Sequence, residues 1–147
     1  MSDDSAPAPT ASLIRITGYT LLRSTYTVLY EPPADEDVKV VWKLLPGMMQ
    51  DTTEPVIIGD LTSRTEDCFA GVRVAAYLSG ELIDGISEVD WAVANALVTD
   101  NVEAVTDGLY DYAAQAMRAM TSGALFRPEV PDVTPKAELD LVDEDEA

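Results

Sequence analysis

From Val38 to Leu45 apolar and polar residues alternate one for one: Val38, Val40, Trp42 and Leu44 fall on one side, Lys39, Val41 and Lys43 on the other. A period of two marks a strand with one buried face, and a one-faced strand predicts antiparallel pairing. Pro46-Gly47 predicts its end. Earlier, Leu13 to Tyr30 is rich in β-branched and aromatic residues and predicts a long first strand with a bend at Gly18. Glu31-Pro32-Pro33-Ala34-Asp35-Glu36-Asp37 cannot continue a ladder and predicts a crossover. Val56 to Thr65 and Phe69 to Ile83 predict a third and a fourth strand, joined by the polar turn Thr65-Glu66-Asp67. Within the fourth, Val72, Val74, Ala76 and Leu78 share one face, opposite Arg73, Tyr77 and Glu81.

The period then changes. Ser87-Glu88-Val89-Asp90 resembles a capping box and predicts a short helix through Trp91, Val93 and Leu97. Asp100 and Glu103 repeat the start signal. Beyond them Val102, Val105, Leu109, Tyr112, Ala116 and Met120 recur every three or four residues and predict a long amphipathic helix, Asn101 to about Ser122. Gly108 marks a candidate kink at a cost of roughly 1 kcal/mol relative to alanine. Gly123 releases the helix into a proline-bounded arm, Phe126-Arg127-Pro128-Glu129-Val130-Pro131. The fold class is therefore α+β: a four-stranded antiparallel sheet, a short helix and one long helix, in a single domain over residues 12–135. Residues 1–11 read as a disordered acidic lead and 136–147 as a disordered acidic tail.

Charge sharpens the picture. The 147 residues carry 27 acids against 9 bases, a net charge of -18. Eight of those acids lie in the two termini, which still leaves 19 against 9 in the body. Such a chain repels nucleic acid and anionic membrane surfaces, so its partners are expected to be basic or apolar. No apolar run approaches the roughly 18 to 20 residues of a bilayer span, and the N-terminus lacks the basic and apolar regions of a secretion signal. The single cysteine, Cys68, is expected to be a buried small residue in a reducing compartment. A cytoplasmic location follows.

Enzyme chemistry fares poorly. With no histidine there is no imidazole base and no His-containing triad or zinc site. Neither G-x-G-x-x-G nor the P-loop pattern occurs. Asp35-Glu36-Asp37 lacks the alternation and glycine of a calcium loop and reads as a solvated turn. No enzyme, cofactor or metal is expected.

Two apolar surfaces remain. Tyr26, Leu29 and Tyr30 before the crossover, with Trp42, Leu44, Met48 and Met49 after it, suit a groove for varied apolar segments; Met48 and Met49, past the Pro-Gly break, are its best members. Leu109, Tyr112, Ala113, Ala116, Met117 and Met120 form a small and flexible helix face. A helix of about 22 residues spans roughly 33 Å, longer than a four-stranded sheet is wide, so that face is expected to pack on a second subunit.

In order along the chain, Leu13-Ile14-Arg15-Ile16, Leu78-Ser79-Gly80-Glu81-Leu82-Ile83-Asp84-Gly85, Leu109-Tyr110-Asp111-Tyr112 and Met120-Thr121 through Phe126-Arg127-Pro128 and Val130-Pro131 resemble the motifs of SecB-type chaperones. The likeness extends to the SecB-like chaperones of toxin–antitoxin systems and spans about residues 12 to 135. It implies a dimer of dimers with helices between two sheets, grooves for unfolded polypeptide, and no nucleotide. Asp111 stands where the family often has proline. Thr20, Arg23, Ser24 and Arg73 stand where export chaperones carry acids for the SecA motor, which leaves SecA uncertain as a partner. The expected function is an ATP-independent holdase for unfolded or nascent clients, serving export or toxin–antitoxin control. The alternative is an acidic interaction protein, such as a DNA-mimic inhibitor or phage accessory factor; its carboxylates would have to line one rigid surface.

Overall fold

The computed structural model describes residues 14–30, 38–49, 52–80, 83 and 88–143. Its strands are β1 (Ile14–Val28), β2 (Lys39–Met48), β3 (Pro55–Arg64), β4 (Cys68–Gly80) and the short β5 (Glu138–Leu139); the long helix α1 (Trp91–Met120) precedes β5. The sheet order is β1-β4-β3-β2-β5. The first four strands pair antiparallel as expected. β5 joins β2 in parallel, so the sheet has five strands and is mixed rather than purely antiparallel.

Local chemistry explains most boundaries. The register of β1 on β4 slips between Ile16 and Gly18, where the bend is expected, and again between Leu21 and Arg23. The β3–β4 turn is built on Thr65, whose hydroxyl accepts from the amides of Asp67 (3.3 Å) and Cys68 (3.2 Å). Cys68 is fully buried and free. β4 stops at Gly80, which adopts a φ of 147°, a region open to glycine; the expected extension to Ile83 does not occur, and Ile83 is instead buried in the core.

Pro46-Gly47 does not end β2, which runs on to Met48 in register with β3. The reason is geometric. The Leu44 carbonyl accepts from the Asp140 amide at 2.9 Å, on the side away from β3. Residue 46 shares that orientation, so the N–H that proline lacks removes no bond to β3.

The two expected helices are one helix of 30 residues, about 45 Å long. Asp90 caps it, its carboxylate accepting from the amides of Ala92 (3.0 Å) and Val93 (3.2 Å). Asp100 and Glu103, read as a second start, are exposed, while Leu97, Val98, Asn101 and Val105 continue the buried stripe through them. Burial of that stripe outweighs the local capping signal. The helix lies across the inner face of the sheet, over Trp42, Leu44, Leu61, Val72 and Val74.

Gly108 sits inside this unbroken helix because Tyr19 crosses it: a β-carbon at Gly108 would lie 2.5 Å from the Tyr19 hydroxyl. Gly108→Ala alone is therefore expected to gain nothing. In a Tyr19→Phe background, where the next ring atom is 3.5 Å away, the same change should recover roughly 1 kcal/mol of helix propensity. Urea unfolding of the four proteins measures this; equal effects in both backgrounds would remove Tyr19 as the cause.

Residues 121–143 fold back along α1. Tyr26 donates to the Phe126 carbonyl (2.7 Å), Tyr110 to the Pro131 carbonyl (2.6 Å), and Arg118 reaches Asp132 at 3.2 Å. Burial raises both phenols above the ordinary value of about 10; Cys68 and Asp67 add to the effect at Tyr26, and at Tyr110 Arg118 opposes it. Both hydroxyls thus stay protonated and able to donate. After β5, the buried Asn95 side chain clamps Val142, donating to its carbonyl (2.8 Å) and accepting from its amide (3.0 Å). The expected disorder of the tail is therefore corrected for residues 136–143. Leu139 and Val142 are few, but backbone pairing and one buried amide hold the segment where apolar content does not.

Candidate functional site

The seven residues expected to line a groove do not meet. Trp42 and Leu44 are buried: the Trp42 indole N–H donates to Thr106 Oγ1 at 2.9 Å, and its ring meets Tyr110 edge-on at 5.4 Å. They belong to the core and offer no surface. Tyr26, Leu29 and Tyr30 lie at the end of β1, with Tyr30 almost wholly exposed. Met48 and Met49 lie at the opposite end of the sheet, about a ten-residue strand or roughly 30 Å away. Met49 helps line a hollow of about 270 Å³ with Pro55, Val56, Tyr77 and Leu78. Residues 30 and 38 lie at the same end of the sheet with β4 and β3 between their strands, and strand length separates 26 from 48.

The helix face divides as well. Leu109, Ala113 and Met117 are enclosed by this chain's own sheet and have nothing left for a second subunit. That corrects the expectation of a free helix face: α1 is longer than foreseen, but it crosses the strands with its apolar stripe down. Tyr112, Ala116 and Met120 are half-buried.

Those three recur every four residues, in line with Gly108, and so share one side of α1. Tyr112 stacks on Tyr19 at 5.5 Å, which fixes that side toward β1. Beside it the inner face of β1 presents Ile14, Ile16, Tyr19 and Tyr26, all partly buried against the core. Leu21 and Leu22, at the second register slip, are nearly half exposed. An apolar flank therefore runs along β1, half covered by α1.

β1 pairs only with β4 among the described strands, so along its fifteen residues the outward-pointing amides and carbonyls of its other edge have no strand partner there. Main-chain hydrogen-bonding groups thus lie directly beside half-covered apolar side chains. An extended segment added there can satisfy both at once. Periodicity had separated tyrosines, methionines and helix residues into two sites; it could not show which side of α1 would face β1. The Gly108–Tyr19 approach is the residue pair that sets it.

Among the described residues no helix is long and apolar enough to cross a membrane, and no group of three His, Cys, Asp or Glu is placed to hold a metal.

No family model matches the chain, and no curated protein matches it. Among solved structures, it is similar to the SecB-like chaperone of Mycobacterium tuberculosis, determined in complex with a ChAD peptide from the HigA1 antitoxin. The TM-score is 0.53 at 17% identity, covering 85% of this chain and 90% of that one. At that identity the likeness is one of fold. The α+β arrangement of a sheet under one long helix is SecB-like.

Proposed function

We propose that this chain is an ATP-independent holdase that captures extended apolar segments of unfolded or nascent polypeptide. The observation that carries this reading is the open β1 edge beside the apolar flank of Tyr19, Leu21, Tyr112, Ala116 and Met120. A similar fold in M. tuberculosis was determined with a bound antitoxin peptide, which supports a polypeptide client and a role in toxin–antitoxin control. We place the protein in the cytoplasm as a homotetramer, without enzymatic activity, cofactor, nucleic acid or membrane as partner. SecA is assigned weak binding or none, since Arg23 and Arg73 occupy the outer sheet face.

The protein should suppress aggregation of a chemically denatured client at near-stoichiometric ratio with no nucleotide present. Ala116→Glu, which places a carboxylate in the flank, should reduce that suppression severalfold, the scale of about 1–3 kcal/mol for a polar group moved into an apolar contact. Light scattering on the same variant separates two uses of the flank. Lost client holding at unchanged mass assigns it to clients; a divided particle assigns it to a neighbouring subunit. Unchanged client aggregation in excess wild-type protein would end the holdase reading.

One observation favours a second reading. Asp100, Glu103, Asp107 and Asp111 are exposed at spacings of three and four along α1, a rigid row of carboxylates such as a DNA-mimic inhibitor needs. The cations on the opposite face of the sheet weigh against a one-sign mimic. Relief of a DNA-binding protein from its DNA by this chain, lost on replacing those four acids with amides, would favour it.

A further inference from the structure

The outer face of the sheet, away from α1, carries a trough running across the strands. Three rows of in-register residues build it. The first is Lys43, Asp60, Arg73 and Arg23, on β2, β3, β4 and β1, with Glu138 of β5 beside Lys43. The second is Val41, Thr62, Gly71 and Thr25; the third is Lys39, Arg64, Phe69 and Thr27. The middle row is short or lacks a side chain, while the rows on either side are long, so the middle row is a floor between two walls. The walls stand about 13 Å apart and the floor crosses about 14 Å from β2 to β1. Adjoining hollows of about 240, 160 and 90 Å³ lie along it.

Its charge is opposite to that of the chain. Five of the nine Lys and Arg residues line this trough, against two carboxylates, in a protein of net charge -18. The arrangement also costs the fold something. Lys39 faces Arg64 and Arg23 faces Arg73 directly across neighbouring strands, and like charges so placed repel. Arg73 pairs with Asp60 at 2.9 Å, but its Nε is buried with no partner. Arg64 is held over the Phe69 ring at 5.3 Å, which leaves its guanidinium edge open to a carboxylate. Glu138 is the tail carboxylate in register with the trough, and after β5 the chain turns to Asn95, on the helix side.

We propose that this trough binds an acidic, extended peptide segment of a partner protein, lying across the strands. Carboxylates of the segment meet Lys39, Arg64, Arg23 and Arg73, relieving both like-charged pairs. The hydroxyls of Thr62 and Thr25 meet its backbone, and Val41 and Phe69 take an apolar side chain. Asp60 and Glu138 disfavour a uniform polyanion, which separates a peptide from nucleic acid. The surface lies on the other side of the sheet from the β1 flank and does not rest on the holdase reading.

The test is fluorescence anisotropy of a labelled peptide of alternating Glu and Ser around a central Leu, titrated with the full chain at low ionic strength. Saturable binding is expected, weakened on the order of tenfold by Lys39→Glu/Arg64→Glu and left within about twofold by Arg127→Glu off this face. Lys39→Gln/Arg64→Gln removes the repulsion without reversing charge; it should melt no lower than wild type and still lose binding, which keeps the result independent of any folding defect. No binding, or equal binding by all variants, overturns the proposal. So does an equally tight single-stranded oligonucleotide of the same charge. A tenfold gain on replacing Asp35, Glu36 and Asp37 with alanine also overturns it, by assigning the trough to the chain's own acidic connection.

Discussion

Trp42→Ala is expected to destabilise the protein by about 3–5 kcal/mol, a large part of the roughly 5–15 kcal/mol that holds a domain folded. The indole is 1% exposed, packs edge-on against Tyr110 and donates its N–H to Thr106. Its removal opens a cavity between sheet and helix and strands the Thr106 hydroxyl. A second substitution tests the same packing from the other side. Gly59 lies beneath the ring: a β-carbon there would overlap the far edge of Trp42 and sit 3.0 Å from Leu109 Cδ2. Gly59→Ala should cost about 1–3 kcal/mol as overpacking. The two sites share one space, so in a Trp42→Phe background, whose ring is shorter, Gly59→Ala should cost much less than it does alone. Denaturant unfolding of the cycle measures both terms. A Trp42→Ala protein of near-native stability with altered client affinity would return Trp42 to the surface.

Truncation after Lys136 is the second large effect. It removes β5, the Asp140 amide bond to Leu44 and both bonds between Asn95 and Val142. Three hydrogen bonds at about 0.5–1.5 kcal/mol each, two of them made by the buried Asn95 amide, predict a loss of roughly 2–4 kcal/mol. At this chain length that is a fall in Tm of roughly 4–16 °C. Asn95→Ala in the full chain should reproduce about half the loss, because it frees the same tail while leaving β5. A calorimetric scan decides it; a truncated protein that melts with the wild type would show the docked tail contributes nothing.

The sheet was readable because alternation is a local property. Lys39–Lys43 against Val40, Trp42 and Leu44, and Val72–Leu78 on β4, announce their faces without reference to anything else. The Thr65-Glu66-Asp67 turn and the bend at Gly18 follow equally from nearest neighbours. What escaped was decided by distant partners. Asp100 and Glu103 carry a start signal, but the stripe from Leu97 to Val105 is buried by strands far away in sequence, and burial wins. Pro46 ends a strand only if its N–H faces a neighbour, which depends on pairing parity. The tail looked unfoldable because hydrophobic content was the measure, whereas a backbone edge and Asn95 hold it. The site divided for a related reason. Leu109, Ala113 and Met117 are indistinguishable by period from Tyr112, Ala116 and Met120, until Tyr19 fixes how the helix is rolled.

The two rims of the sheet are unequal: on the β2 side β5 covers Lys43 and Leu44 and Pro46 offers no N–H, whereas β1 has no second partner among the described strands. In polymer terms a strand-pairing unit with two reactive ends propagates, and a unit with one end stops growth. The described sheet lies nearer the second case, with its β2 rim partly blocked. On the proposed holdase reading, a strand taken up on β1 would meet a partly blocked rim at the far side of the sheet, which would favour stopping growth over propagating it.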